Sequence, residues 1–194
     1  FDFRHSVENN TMGFGYHYIK TTDSGTPALP MDIEFIESHR VNIDGDFQAG
    51  QWQGEWSLGY LDADHGKTNF LMRAHDPMKK RRNIAVADTT DFTLVLNREF
   101  SFGELSFGLD GYLATHDSVI TNPTNAMFEV ENFNNVQDER IGFFTQWQNQ
   151  YRQTNIQLGV RVKHARADAD EVSANMAMGN MSSNSMPGAM PMPS

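Results

Sequence analysis

The sequence predicts an all-β protein: a partial transmembrane antiparallel β-barrel of about eight strands taken from a larger barrel, with short periplasmic turns and long extracellular loops. Three observations predict it. Apolar residues recur at every second position through successive segments, as they do on a strand with one apolar and one polar face. Short connections at 8–11, 48–51, 100–103 and 150–153 alternate with long ones at 21–35, 62–82 and 117–136. No run approaches the roughly 18–20 consecutive apolar residues that a spanning helix requires.

The alternation can be followed in order. Phe1, Phe3 and Val7 are followed by Met12, Phe14, Tyr16 and Tyr18. Val41, Ile43 and Phe47 precede Trp52, Trp56, Leu58 and Tyr60. Phe92, Leu94 and Leu96 precede Leu105, Phe107, Leu109 and Leu113. Ile141, Phe143, Thr145 and Trp147 share one face, and Ile156, Leu158, Val160 and Val162 follow the last short turn. The intervening positions include Arg40, Asn42, Asp44, Asp46, Glu55, Gly59, Asp110 and Arg161, a mixture of charge and glycine suited to a watery lumen. Phe47, Trp52, Phe100, Phe102, Trp147 and Tyr151 gather near the short turns, where an interfacial girdle belongs. In a soluble sandwich the same apolar face would be the core, so a soluble extracytoplasmic β-domain is the competing reading.

Composition narrows the function. The 194 residues are 39% hydrophobic and carry a net charge of −10, with 15 basic against 25 acidic side chains. Phosphate neutralisation needs clustered Lys and Arg, so nucleic acid is excluded as a partner. The one basic run, Lys79-Lys80-Arg81-Arg82, is read as a solvated loop or a contact with anionic headgroups. A mean hydropathy of −0.54 suits a barrel, whose strands expose apolar groups only at alternate positions. There is no cysteine, hence no thiol chemistry and no disulfide. Neither GxSxG, HExxH, GxxxxGK[ST] nor a helix-opening GxGxxG occurs, which points away from an enzyme. Asn42-Ile-Asp44-Gly-Asp46 has part of a calcium-loop pattern but sits within a strand pattern and lacks the distal Glu.

The chain opens inside a strand pattern and closes in a Pro/Met/Ser-rich stretch, which predicts a piece of a longer protein. Two parts are expected: residues 1–171 as partial barrel and 172–194 as an extracellular loop segment.

Several stretches carry a family resemblance. They are Pro27-Ala28-Leu29-Pro30-Met31-Asp32, Asp62-Ala63-Asp64-His65, Asp76-Pro77-Met78, the segment from Ile120 through Asn122-Pro123-Thr124-Asn125 to Phe128, Asn132-Phe133-Asn134-Asn135-Val136, and Leu158-Gly159-Val160-Arg161. In this order the chain resembles the barrel of TonB-dependent outer-membrane receptors, most closely their copper-receptor branch, over residues 11–172. The resemblance implies a 22-stranded barrel in the outer membrane of a Gram-negative bacterium. It also implies a plug domain through which the TonB complex acts, and import of a scarce nutrient.

The candidate ligands are soft. Met176, Met178, Met181, Met186, Met190 and Met192 are six of the chain's eleven methionines. Thioethers suit Cu(I) and suit Mg²⁺ or Ca²⁺ poorly. Being neutral, they need no deprotonation, so capture would persist at mildly acidic pH. Met176-x-Met178-x-x-Met181 and Met190-x-Met192 are the spacings that place sulfurs together, and His75-x-x-Met78 offers an imidazole with a thioether. The same composition also describes a low-complexity loop with no ligand role. Asp168-x-Asp170-Glu171 reads as a solvated strand end. The expected function is therefore copper import, as ion or complex, by extracellular capture and plug-gated passage. Copper is cargo, no resident cofactor is expected, and lipid, TonB and a metal or metal chelate are the partners. A receptor for a siderophore or another chelate is the alternative within transport.

Overall fold

The computed structural model describes residues 1–175; Met176, Met178, Met181, Met190 and Met192 lie outside the described residues. The architecture is one antiparallel up-and-down sheet. Its strands are β1 (Asp2–Val7), β2 (Asn10–Ser24), β3 (Asp32–Ala49), β4 (Trp52–Thr68), β5 (Arg82–Phe100), β6 (Gly103–Asn122), β7 (Asn125–Tyr151) and β8 (Thr154–Asp168). They pair in sequence order, and a short β9 (Ala174–Asn175) adds to β7. The only helix among the described residues is a 3₁₀ turn, Pro77–Lys79. The sheet is open: β1 and β8 are its two edges and do not pair with each other.

At one rim all four connections are two-residue turns, at 8–9, 50–51, 101–102 and 152–153. Glu8, Gly50 and Arg152 open three of these turns at φ of 54°, 65° and 56°. Such left-handed residues let a tight turn follow the twist of its strands. At the other rim the connections are 25–31, 69–81 and 123–124. The first two long loops are thus shorter than expected, and the third is not a loop. Residues 117–136 are the paired ends of β6 and β7, closed by Asn122, whose side-chain oxygen accepts from the Thr124 backbone N–H at 2.9 Å. Its run of Asn, Asp, Glu and Thr resembles loop composition, but backbone pairing tolerates polar side chains when both faces of a ribbon meet water. The ribbon is irregular near its base. Register shifts occur between His116/Ser118 and Ser118/Val119, and Asn135 stands at φ 46° with its N–H donating to Asp117 at 2.7 Å.

Register aligns side chains into rows. Phe3, Phe14, Ile43, Leu58, Phe92, Gly111 and Ile141 are opposite one another in succession from β1 to β7. Along β4 this face reads Trp52, Gly54, Trp56, Leu58 and Tyr60, then Asp62 and Asp64. Along β6 it reads Leu105, Phe107, Leu109, Gly111 and Leu113, then Thr115 and Asp117. The apolar stretch therefore forms a band on the two-residue-turn side, about 27 Å long along the strands at an antiparallel rise of about 3.4 Å per residue. The opposite face is charged across the same band and turns apolar beyond it, at Ile36, Ala63, Ala85, Ala87 and Val136.

Among the described residues no second layer covers either face. Ala114 is the one buried hydrophobic residue among the described residues, and Leu58, Leu113, Ile141 and Phe143 on inner strands stay about half exposed. The buried positions are mostly glycines, several of them lying under a cross-strand aromatic ring. Phe47 covers Gly54, Trp56 covers Gly45, Phe92 covers Gly111 and Phe144 covers Gly108. A ring laid over a strand glycine replaces the contacts that the missing side chain cannot make. On the charged face, Arg40 reaches Asp91 at 3.3 Å across β4, and Arg161 reaches Asp110 at 2.6 Å across Gly142 of β7.

A Cβ at Gly108 would stand 1.9 Å from the Phe144 ring. Gly108→Val should therefore destabilise the sheet by roughly 1–3 kcal/mol through overpacking, read as a lower urea midpoint. Combining it with Phe144→Ala should recover part of the loss.

Candidate functional site

The long-loop rim carries His75 and Met78, and one side chain organises it. Arg73, in the 69–81 loop, gives Asp32 a bidentate pair, Nε to Oδ2 at 2.6 Å and Nη2 to Oδ1 at 2.7 Å. The same guanidinium donates to the Thr26 carbonyl at 2.7 Å and the Leu29 carbonyl at 2.5 Å. Thr26 in turn donates its N–H to Asp32 at 2.8 Å. The planar fork of Arg satisfies two carboxylate oxygens and two loop carbonyls at once, which Lys cannot do. The result fastens the 25–31 loop onto the 69–81 loop. The Arg73 hydrogen bonds, followed by the Thr26 N–H, hold the Asp32 carboxyl down at about 2, and Asp32 raises the Arg73 guanidinium in return.

The 69–81 loop also leans on the β6–β7 ribbon. Thr124 Oγ1 donates to the Pro77 carbonyl at 3.1 Å, and Asn122 Nδ2 to the Met78 carbonyl at 3.4 Å. Arg81 stacks on the Phe128 ring at 3.9 Å, and Lys80 lies 5.4 Å from the Phe70 centroid. Asn69 closes the base of this loop through Lys79 and Arg81. The basic run is thus mostly engaged within the rim: Arg82 opens β5 and pairs with Glu34 at 2.7 Å, and Lys79 lies 3.9 Å from Asp76.

His75 and Met78 both lie in the 69–81 loop, as expected. The Nδ1 of His75 is 3.1 Å from the Arg73 carbonyl, so Nδ1 carries the proton and Nε2 is the nitrogen left for a ligand. Met78 begins its turn over an Asp76 cap and is 80% exposed. The structure brings His75 together with Phe70, ring centroids 6.0 Å apart, while no group of three His, Asp or Glu suited to a metal occurs among the described residues. His65, expected in the same loop, stands instead on β4, because that strand runs on to Thr68. Asp168 ends β8 and pairs with Arg166 of the same strand at 2.9 Å, and Asp170 beyond it accepts from Asn135 of β7 at 3.0 Å.

β9 fixes where the methionine-rich segment departs. Asn175 is in register with Glu129 on the ribbon, and Ser173 exchanges bonds with Glu131. Met176 is the next residue in the chain, and Met127, 59% exposed, belongs to the same ribbon. The sequence marks Asp32, Asn122 and Thr124 only as parts of the resembling stretches and does not mark Arg73, since their roles arise between loops far apart in sequence. A lone Arg in a long polar connection was the only signal available.

Comparison with protein-family models, curated proteins and solved structures finds no match. The class defined by the fold is an open, single-layer antiparallel β-sheet.

The Arg73 latch has a definite acid limit. The Asp32 carboxyl titrates at about 2 in the folded chain against an ordinary 3.8, so its contribution to stability is present above pH 4 and is lost as pH falls towards 2. Hydrogen-exchange protection of the Thr26 N–H should hold down to about pH 4 and then collapse. In Arg73→Leu it should already be low at pH 7.

Proposed function

We propose that the chain forms part of the wall of an outer-membrane β-barrel of the TonB-dependent receptor type, and that the receptor takes copper inward as ion or complex. The observation that carries the barrel reading is the apolar band. From Trp52 to Tyr60 on β4, and from Leu105 to Leu113 on β6, it spans nine residues, close to the roughly 9–11 with which a tilted strand crosses a bilayer. Its borders are those of an interface. At one edge stand Trp52, Trp147 and Phe100, with the Trp147 indole N–H donating to the Phe102 carbonyl at 3.1 Å. At the other edge tyrosine hydroxyls point out of the band: Tyr60 donates to Asp88 at 2.6 Å and Tyr18 to Glu37 at 2.8 Å. An amphipathic ring with its tip in the polar layer is the arrangement expected of an aromatic girdle.

A water-facing reading has to account for a sheet of 15- to 20-residue and longer strands with Ala114 as its one buried hydrophobic residue. Lipid supplies the missing second layer on the apolar face. It also forbids open edges, since unpaired backbone groups cost several kcal/mol each in hydrocarbon. β1 and β8 must then each take a further strand, as in a barrel larger than this sheet. On this reading the two-residue turns are periplasmic and the rim organised by Arg73 is extracellular.

The copper reading rests on ligand chemistry and on the resemblance. In sequence Met176, Met178 and Met181 come next after β9, and β9 pairs with β7 on the rim that also carries His75 and Met78. Thioether and imidazole hold a soft cation without a resident cofactor. The chain's task is capture and passage, with no bond made or broken. A plug domain moved by the TonB complex would open the lumen.

All three tryptophans, Trp52, Trp56 and Trp147, lie on the apolar face. Reconstituted into vesicles of lipids brominated along their acyl chains, the full chain should lose more than half of its tryptophan emission. Emission quenched by aqueous acrylamide and indifferent to bromine would return the protein to the soluble β-domain reading. For the cargo, copper accumulation under limiting copper should fall several-fold when Met176, Met178 and Met181 are together changed to Leu at matched surface expression. Unchanged uptake would remove these methionines from the path. Absence of copper uptake in both forms would favour a chelate receptor.

A further inference from the structure

The two borders of the apolar band differ in the charge they carry on the band's own face. Towards the long-loop rim this face runs into Glu37, Asp62, Asp64 and Asp88, and Lys20 there is already paired with Glu37 at 3.2 Å. Towards the two-residue turns it ends in a row formed by Ala49, Trp52, Arg98, Leu105, Trp147 and Leu158. Arg98 of β5 is the one charged side chain in that row, and the row contains no carboxylate. Glu99 and Glu104, beside it in the ladder, stand opposite each other in the next row and on the other face.

Arg98 is held by aromatic rings and an amide. Its guanidinium carbon lies 4.7 Å from the Phe100 ring centroid and 5.4 Å from that of Trp52. Nη2 donates to Gln51 Oε1 at 2.5 Å, while Nε is closed off and has no partner. Nη1 is not closed off, and it makes no hydrogen bond among the described residues. The arginines of the charged face are arranged differently: Arg4, Arg40 and Arg161 each reach an Asp across the sheet. Arg98 has no carboxylate partner among the described residues. A guanidinium partly stripped of water and without a counter-ion is costly, and an anion at its open nitrogen offsets that cost. Stacking also fixes the plane of the guanidinium, so Nη1 is preset for an oxygen acceptor.

We propose that Arg98, held by Trp52, Phe100 and Gln51, binds the phosphate of a phospholipid headgroup, with Nη1 donating to a phosphate oxygen. Three features select this occupant. The cation lacks a counter-ion on the protein, and phosphate oxygens match a guanidinium edge. The apolar band begins at the next residue of this face, Leu96, so acyl chains attached to that phosphate would lie along the band. Indoles of Trp52 and Trp147 flank the position, as they do at the headgroup level of a bilayer. The carboxylates of the opposite border repel the same headgroup, so the site distinguishes one leaflet from the other. The inference rests on the membrane reading and deepens it, and it does not depend on the cargo.

The test uses the full chain labelled with ¹⁵N in its arginines and reconstituted into phosphatidylglycerol vesicles. Solid-state NMR reads the dipolar coupling between side-chain nitrogens and lipid phosphorus, and the Arg98 signal is the one missing in Arg98→Lys. That signal should be dephased by phosphorus. In Trp52→Leu the dephasing should fall by roughly half or more, because the stacking that presets the guanidinium is gone. In vesicles of a phosphate-free galactolipid with inorganic phosphate added, Arg98 should show none. An Arg98 signal without dephasing in phosphatidylglycerol would overturn the proposal, and so would dephasing indifferent to Trp52→Leu. Equal dephasing by inorganic phosphate would replace the lipid with a free anion. Parallel vesicles with brominated acyl chains separate the failures. Quenching of Trp56 and Trp147 without dephasing at Arg98 removes the headgroup site alone, whereas absence of quenching removes the membrane reading and the site with it.

Discussion

The arrangement of this molecule depends on an uninterrupted register between long strands. A one-residue slip in any ladder would exchange the two faces of every strand beyond it. β4 and β5 pair without a break from Gln53 and Asn97 to Thr68 and Arg82, and β5 and β6 from Arg82 and Thr121 to Phe100 and Gly103. The register shifts, at 33/35, 116/118, 118/119 and 121/122, all fall on the long-loop side of the tyrosine row. Regularity is kept across the apolar band and relaxed beyond it.

The tyrosine row also marks where the two faces exchange character. Below it, Leu58 and Phe92 share a face while Asn42 and Asp91 share the other. Above it, Asp62 and Asp88 sit directly opposite on the formerly apolar face, and Ala63 and Ala87 on the formerly charged one. A soluble sheet packed on a core along its whole length has no reason to change sides. On the proposed membrane reading the sheet passes from hydrocarbon into water at this row, and its outer face changes with the solvent.

Much of this was legible in the sequence, because period two is a local signal. The Trp52–Tyr60 and Leu105–Leu113 alternations specify both strand and face without reference to any partner. The four short turns were readable for the same reason. The ribbon at 117–136 was not, since Asn, Asp, Glu and Thr carry no alternation and their pairing is decided by the opposing strand. The latch was less readable still: Asp32 and Arg73 are 41 residues apart, and neither looks unusual alone. His65 was assigned to a loop because Asp62 and Asp64 break the apolar pattern, which is what happens when a strand leaves the band without ending. Closure into a barrel is not a local property and cannot be read from any one segment.

Glycine ties these levels together. Among the described residues eleven of thirteen glycines stand within strands, where glycine ordinarily costs about 0.5–1 kcal/mol relative to alanine. The cost is offset by what lies across them. On the apolar face Trp56 and Phe92 cover Gly45 and Gly111, turning side-chain gaps into aromatic contact and keeping the band smooth. On the charged face the same vacancy is used for reach. Gly142 lets Arg161 extend over β7 to Asp110, and Gly13 lets Arg4 extend over β2 to Asp44. A side chain at either glycine would stand in the line of the ion pair. β1 is thereby joined to β3, β3 to β5 and β6 to β8 by charge, and the single layer gains stiffness across its width. That stiffness holds the rim loops in a fixed relation, so that one arginine can clamp two of them.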